Sequence, residues 1–167
     1  QATFWWGEVA FQRAAEQLEA SSNSGTLDPA FVKEIVPRYE KYLATNDSNY
    51  RPLAAFRLGQ LYQSIDQPQQ AVTAYQRYLK TKDAAFQQEA HYELGMLYAR
   101  QNEPKLALEQ LLPLRSQERY RQEPGFWTML VQQYDAIGNK SNAEQILRDA
   151  YNNESFQRNT QLRFLQE

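Results

Sequence analysis

The feature of this sequence that most limits its fold is a repeat with a period of 36 residues. The segment Leu-Gly-Gln-Leu-Tyr that begins at Leu58 returns as Leu-Gly-Met-Leu-Tyr at Leu94 and as Leu-Val-Gln-Gln-Tyr at Leu130. Three alanines repeat with the same 36-residue period, and each lies thirteen residues after one of these leucines: Ala71, Ala107 and Ala143. The segment 39–43 (Tyr-Glu-Lys-Tyr-Leu) likewise precedes Tyr-Gln-Arg-Tyr-Leu at 75–79 by 36 residues. Such a period is typical of proteins built from stacked structural units.

Each 36-residue repeat is predicted to be two α-helices joined by a tight turn. Apolar residues recur at helical spacing, so that each helix has one apolar face. Asp66, Asn102 and Gly138 occupy equivalent turn positions, and all three residue types tolerate the left-handed conformation that ends many helices. Pro68 and Pro104 follow two residues later, where a proline fits the first turn of the next helix.

We expect no β-strand and a chain made of helices. The helix that follows Asp28 should begin with that residue as its N-cap and with Pro29 as its first residue. Pro113 should shorten the helix that contains it. The expected helices are at about 2–20, 29–45, 51–64, 67–81, 84–100, 103–115, 123–136, 140–152 and 156–165.

The repeated residues resemble the tetratricopeptide repeat (TPR) family, in which Leu-Gly-x-x-Tyr is followed by a small alanine nine residues later. The match covers about 52–151, with a half-match at 29–45. Val131 replaces the family's glycine in the third copy, and the period exceeds the family's ~34 residues, which places two extra residues in each inter-repeat loop.

The resemblance implies an all-α fold, a right-handed TPR superhelix (α-solenoid) of about four helix pairs with a terminal capping helix. The whole chain, 1–167, is then a single TPR domain. Its expected parts are a degenerate helix pair at about 2–45, repeats at about 52–85, 88–121 and 124–153, and a C-terminal helix at about 155–166.

Composition argues against an enzyme. The chain has no cysteine and one histidine, His91, so it lacks thiol catalysis, zinc–thiolate sites and multi-histidine metal sites. We therefore expect no catalytic residue, no cofactor and no metal, and a structural role for His91. The formal net charge is only −2, which gives no general attraction to nucleic acid.

A protein or peptide partner is the expected ligand. In TPR proteins the first helix of each pair lines a concave groove, and carrying the family's groove positions over to this chain gives an uncharged set of side chains. Such a groove suits an extended segment or a helix of the partner. The candidate partner-binding residues are Phe56, Gln60, Gln63, Tyr92, Met96, Thr128 and Gln132.

The aromatic start of the chain, Phe4-Trp5-Trp6, has two interpretations. These residues either cap the first repeat or form an anchor that faces a membrane or a partner, because tryptophan is favoured at both kinds of boundary. Any attachment to a membrane would come from a segment outside this chain.

In the order of its parts, the sequence is similar to the soluble domain of the bacterial ancillary Sec translocon subunit. An aromatic-headed helix is followed by a polar loop at 21–28, a helix at 29–45 and regular repeats. This similarity implies an interaction scaffold of the periplasm or cell envelope that contacts translocating chains or periplasmic chaperones. The alternatives are an assembly factor for pili, exported polysaccharide or outer-membrane proteins, and the sensor part of a larger regulatory or catalytic protein. The alternative location is the cytoplasm.

Overall fold

The computed structural model describes residues 2, 4–9, 11, 12, 27–45 and 49–152. The regular structure of these residues is helical throughout, with no β-strand among them. The later part of the first expected helix and the expected C-terminal helix at about 155–166 lie outside the described residues.

The described helices follow the 36-residue period. Residues 4–9, 11 and 12 are also helical. The helices with defined bounds are α1 (Pro29–Leu43), α2 (Arg51–Ser64), α3 (Pro68–Leu79), α4 (Gln87–Arg100), α5 (Pro104–Leu111), α6 (Glu118–Arg121), α7 (Pro124–Ala136) and α8 (Lys140–Tyr151), with a 3-10 segment at Leu112–Ser116.

The helix ends follow local chemistry. The Asp28 carboxylate accepts a hydrogen bond from the Ala30 backbone N–H at 2.9 Å, as expected of an N-cap. The turns after α2, α4 and α7 contain the three residues with positive φ among those described: Asp66 (55°), Asn102 (59°) and Gly138 (72°). The predicted left-handed turns are therefore confirmed.

The segment after α5 departs from the expected single helix at 103–115. The α-helix ends at Leu111, and a 3-10 turn and the four-residue helix α6 follow. Pro113 has no backbone N–H and its ring crowds the preceding turn, which interrupts the α-helical hydrogen bonds at this point. The periodicity did not predict α6, because this helix lies after the helix pair that defines the repeat.

The chain divides into two compact units, residues 1–90 and 91–167. In the first unit, two tyrosine hydroxyls one period apart accept hydrogen bonds from the loops that follow them. The Tyr50 N–H donates to Tyr42 at 3.0 Å, and the Phe86 N–H donates to Tyr78 at 2.7 Å. The second unit has a separate core around Leu111, Leu130 and Ile146.

Two glycines allow close helix packing. A Cβ atom on Gly59 would lie 2.5 Å from the Tyr75 ring, and one on Gly95 would lie 2.6 Å from the Leu111 side chain. Each partner comes sixteen residues after its glycine. The third repeat has Val131 instead, and Leu147, sixteen residues later, is 54% exposed. The paired helices therefore pack closely at both glycines.

Candidate functional site

Phe56 lies in the core and not on an accessible surface. Its side chain is 3% exposed. The Phe86 ring stacks on it with centroids 4.7 Å apart, and Tyr75 and Tyr78 contact it at 5.7 and 5.4 Å. The prediction that this position faces a partner is corrected here, because three aromatic rings already cover the side chain.

Tyr92, one period after Phe56, is covered in the same way but less completely. The Tyr120 ring from α6 stacks on Tyr92 with centroids 5.2 Å apart and planes 22° apart. Burial raises the pKa of the Tyr92 hydroxyl, with Glu93 and Glu123 adding to the effect. Tyr92 is half-buried, so part of this residue remains accessible.

The rings that stack on Phe56 and Tyr92 come from segments between the helix pairs. Phe86 precedes α4, and Tyr120 lies in the short helix α6. In each unit, a residue between helix pairs thus supplies an aromatic ring that stacks on the same repeat position. Family positions alone could not predict these stacking rings, because Phe86 and Tyr120 lie outside the helix pairs that define the repeat.

The two glutamines predicted in the first unit are half-buried and already hydrogen-bonded. Gln60 Oε1 accepts from Arg57 Nη1 at 3.0 Å, and Gln63 Oε1 accepts from the Tyr75 hydroxyl at 3.0 Å. These bonds fix both side chains, so each would meet a partner in a set orientation.

The predicted residues of the second unit include the most accessible ones. Thr128 and Gln132 lie one turn apart on α7 and are both exposed. The Thr128 hydroxyl donates to the Pro124 carbonyl at 3.1 Å, which leaves its lone pairs as acceptors. Met96 on α4 is half-buried. The assignment of these residues to partner binding remains a prediction.

His91 has a neighbour that suits a structural role. Its Nδ1 lies 2.9 Å from Gln110 Oε1, so the tautomer with a proton on Nδ1 donates to this amide and links α4 to α5.

The aromatic start of the chain divides between core and surface. Phe4 is fully buried and stacks on Tyr50 with centroids 4.7 Å apart. Trp5 and Trp6 are 48% and 60% exposed, and the Arg38 guanidinium lies over the Trp6 ring at 4.3 Å. Phe4 therefore caps the first unit, while the two tryptophans present apolar surface.

A buried ion pair, which sequence reasoning missed, fastens this first helical segment. Arg57 Nη2 on α2 lies 2.8 Å from Glu8 Oε1, with the two side chains 16% and 6% exposed. The Tyr39 hydroxyl donates to the other oxygen of Glu8 at 2.9 Å. Burial, aided by the negative charge of Glu8, raises the pKa of Tyr39. Glu8 and Arg57 are 49 residues apart, a separation that the repeat period does not explain.

A cleft of about 500 Å³ lies in the first unit, on α1, α2 and α3. Its apolar lining comes from Leu43, Leu58 and Ala74, and Glu40 and Arg77 are its charged residues. The remaining lining residues are polar: Tyr62, Gln69, Gln70 and Thr73. Sequence analysis did not identify this cleft, because its residues come from both helices of one repeat and from the helix before it.

The described residues bring together no group of three or more acidic or histidine side chains that could hold a metal ion. Within the same ranges, no helix has the length and apolar character needed to span a bilayer.

Comparisons with known proteins identify the repeat. Residues 54–84 match the family model of the tetratricopeptide repeat. A solved structure of the MamA protein shares 18% identity with this chain at a TM-score of 0.63, and the match covers 89% of this chain and 73% of that one. A second MamA crystal structure, also 18% identical, has a TM-score of 0.59 and covers 75% and 70%. No curated protein sequence matches significantly.

These matches bear on the fold. At 18% identity the likeness to MamA, a TPR-type protein, concerns the fold alone. Together with the helical content of the structure, it confirms the predicted class, an all-α fold of TPR-type helix pairs.

Proposed function

We propose that this chain, with its TPR fold and its repeat at 54–84, is a non-enzymatic scaffold that binds a segment of a partner protein. Proteins of this architecture stack helix pairs so that exposed side chains of successive helices form a binding surface. The single observation that carries the proposal is the exposed, uncharged pair Thr128 and Gln132 on α7, the first helix of a pair. Amide and hydroxyl groups at such positions hydrogen-bond to a partner's backbone without attracting other charged molecules.

We further propose that the scaffold works in the bacterial cell envelope, assisting protein translocation or contacting periplasmic chaperones. The support is the order of elements along the chain, in which a helix with an aromatic start precedes the loop and the regular repeats. The exposure of Trp5 and Trp6 is consistent with a position next to a membrane or partner.

Site-specific photocrosslinking tests the binding surface. A photoreactive amino acid at Gln132 in the full-length protein, expressed in its own cells, should give a discrete crosslinked partner. The same group at Glu144, an exposed residue of α8 in the same unit, should not. Equal crosslinking of the same protein from both positions would overturn the assignment to the first helices.

The identified partner then allows a quantitative test. Replacing both Thr128 and Gln132 by alanine should raise the Kd by about fivefold or more, because loss of an important contact costs more than ~1 kcal/mol. Glu144→Ala should leave the Kd unchanged. Binding through uncharged groups should also survive high salt, since there is no long-range charge interaction to screen.

Cell fractionation tests the location separately. The full-length protein should be found with the envelope, and a protease added outside the inner membrane should degrade it. A protein confined to the cytoplasm would overturn the envelope proposal and leave the scaffold proposal standing.

A further inference from the structure

We infer that the cleft on α1, α2 and α3 is a further binding site, which takes a peptide segment with one aliphatic side chain between a basic and an acidic residue. The cleft contains none of the seven residues predicted for partner binding. It lies within the first unit and is lined by α1, by α3 and by Leu58 and Tyr62 of α2.

The size and lining of the cleft suit a peptide side chain. Its volume of about 500 Å³ falls within the roughly 300–1,000 Å³ range of ligand sites. Leu43, Leu58 and Ala74 are all less than 10% exposed and form an apolar patch. An aliphatic side chain that lies on this patch loses apolar surface to water, which favours binding.

Two opposite charges border this apolar patch. Glu40 belongs to α1 and Arg77 to α3, and both are exposed. The ion pairs found among the described residues do not include either side chain. A basic group beside Glu40 and an acidic group beside Arg77 would therefore meet charges that are not in an ion pair with any described side chain.

Both charged side chains are already held in place. The Tyr62 hydroxyl donates a hydrogen bond to the Glu40 carboxylate, and Arg77 Nη2 donates to the Leu43 carbonyl at 3.3 Å. Burial and the bond to Glu40 raise the pKa of Tyr62 above its ordinary value. Charges fixed before binding reduce the entropy that binding must remove.

The wall formed by α3 provides polar groups for a peptide backbone. Gln69 and Gln70 are exposed and carry an amide donor and acceptor each. Thr73 donates to the Gln69 carbonyl at 3.0 Å and retains its lone pairs as acceptors. This series of polar groups beside an apolar patch favours a peptide over a small apolar ligand.

Defined peptides test the inference. Fluorescently labelled peptides, blocked at both ends, would contain Lys-Leu-Ser-Glu, Lys-Leu-Ser-Lys, Glu-Leu-Ser-Glu or Lys-Ser-Ser-Glu. Fluorescence anisotropy with the intact chain should show the first peptide binding about fivefold more tightly than either peptide of uniform charge. The leucine-free peptide should bind more weakly still. Equal binding of all four, or binding of none, would overturn the inference.

Variants of the chain locate the binding. Thr73→Trp should fill the cleft and abolish binding of Lys-Leu-Ser-Glu, while Gln76→Trp, an exposed change on the same helix outside the cleft, should not. Arg77→Glu should make both charged residues acidic and switch the preference to Lys-Leu-Ser-Lys. Circular dichroism confirms that each variant is folded. An unchanged preference in folded Arg77→Glu, or full binding by folded Thr73→Trp, would contradict the site.

Two further outcomes separate this site from other possibilities. Free leucine that competes as well as the peptide would overturn the peptide assignment in favour of a small-molecule site. The double variant at Thr128 and Gln132 should bind Lys-Leu-Ser-Glu normally. Loss of binding in that variant would assign the peptide to the α7 surface instead of the cleft.

Discussion

Single residues set how closely the helices of a pair approach. At Gly59 the Tyr75 ring occupies the space that a side chain would need, whereas Gly125 in α7 has no atom within 4 Å of the position of a Cβ. The same substitution should therefore have opposite effects at the two positions.

We expect Gly59→Ala to lower the free energy of unfolding by about 1–3 kcal/mol, because the added methyl forces Tyr75 or the helix to move. Gly125→Ala should be neutral or stabilising by up to about 1 kcal/mol, since alanine is the better helix former. Urea unfolding of the two variants measures both values. Equal losses of stability would show that Gly59 is not the point of close approach.

The tyrosines of the first unit make its stability sensitive to high pH. Burial, with the hydrogen bond to Asp83, raises the pKa of Tyr78 to about 12. In the unfolded chain a tyrosine loses its proton near pH 10, so the folded state binds more protons above that pH. The stability contribution of Tyr78 is thus complete below pH 10 and is lost as the pH rises towards 12.

We therefore expect the free energy of unfolding to fall between pH 10 and 12. Urea unfolding at several pH values measures the fall, and tyrosinate absorbance reports the titration. In Tyr78→Phe the free energy of unfolding should decline less steeply with pH than in the parent chain, because phenylalanine has no hydroxyl proton to lose. A stability that stays constant over this range would contradict the raised pKa.

At the scale of elements, a buried ion pair attaches the first helical segment to α2. Glu8 is 5% exposed, and removal of Arg57 would leave its carboxylate without the partner that compensates its burial. Arg57 also lies over the Phe11 ring at 4.3 Å, so its loss removes a second contact to the same segment.

Arg57→Leu should cost about 3–5 kcal/mol of stability, as expected when one member of a buried pair is removed. The matched control is Arg148→Leu, because Arg148 and Glu144 are 71% and 68% exposed and such surface pairs contribute at most about 1 kcal/mol. Thermal unfolding followed by circular dichroism compares the two. Similar melting temperatures would mean that the Glu8–Arg57 pair does not fasten the segment.

Much of the helical arrangement could be predicted from sequence, because helix starts, turns and apolar faces depend on residues close together in the chain. The bounds of α2 agree with the expected 51–64. Helix α7 begins one residue later than expected, and α8 ends one residue earlier than expected. Helix α6 was missed because Tyr120 and its neighbours lie outside the helix pairs and follow no period.

The candidate site was harder to predict, since it depends on contacts between distant parts of the chain. Family positions placed Phe56 in the groove, but the stacking ring comes from Phe86, thirty residues later in a loop. The pairing of Glu8 with Arg57 likewise joins a non-repeated segment to a repeat. Such contacts follow from tertiary packing and leave no local pattern.

At the scale of the whole molecule, each compact unit has buried residues of its own. Buried side chains of the first unit include Phe4, Tyr39, Tyr42 and Leu61. In repeat proteins each unit contacts mainly its neighbours in sequence, so that part of an array can fold without the rest.

We expect a fragment of residues 1–100, which keeps the first unit and the whole of α4, to remain helical and to unfold cooperatively. Circular dichroism and urea unfolding measure both properties. A fragment of residues 1–64, which lacks α3 and therefore the Tyr75 and Tyr78 rings, should lose most of its helical signal. An unfolded 1–100 fragment would show that the first unit needs the second for its stability.

The close contact of Gly59 with Tyr75 also restricts how such a chain can evolve. A larger residue at position 59 needs the space that Tyr75 fills, so a lineage that replaces the glycine must also change the residue sixteen positions later or pass through a less stable intermediate. The third repeat has a valine at the corresponding place and an exposed leucine as its counterpart. Among homologues, these positions should therefore vary as correlated pairs, repeat by repeat.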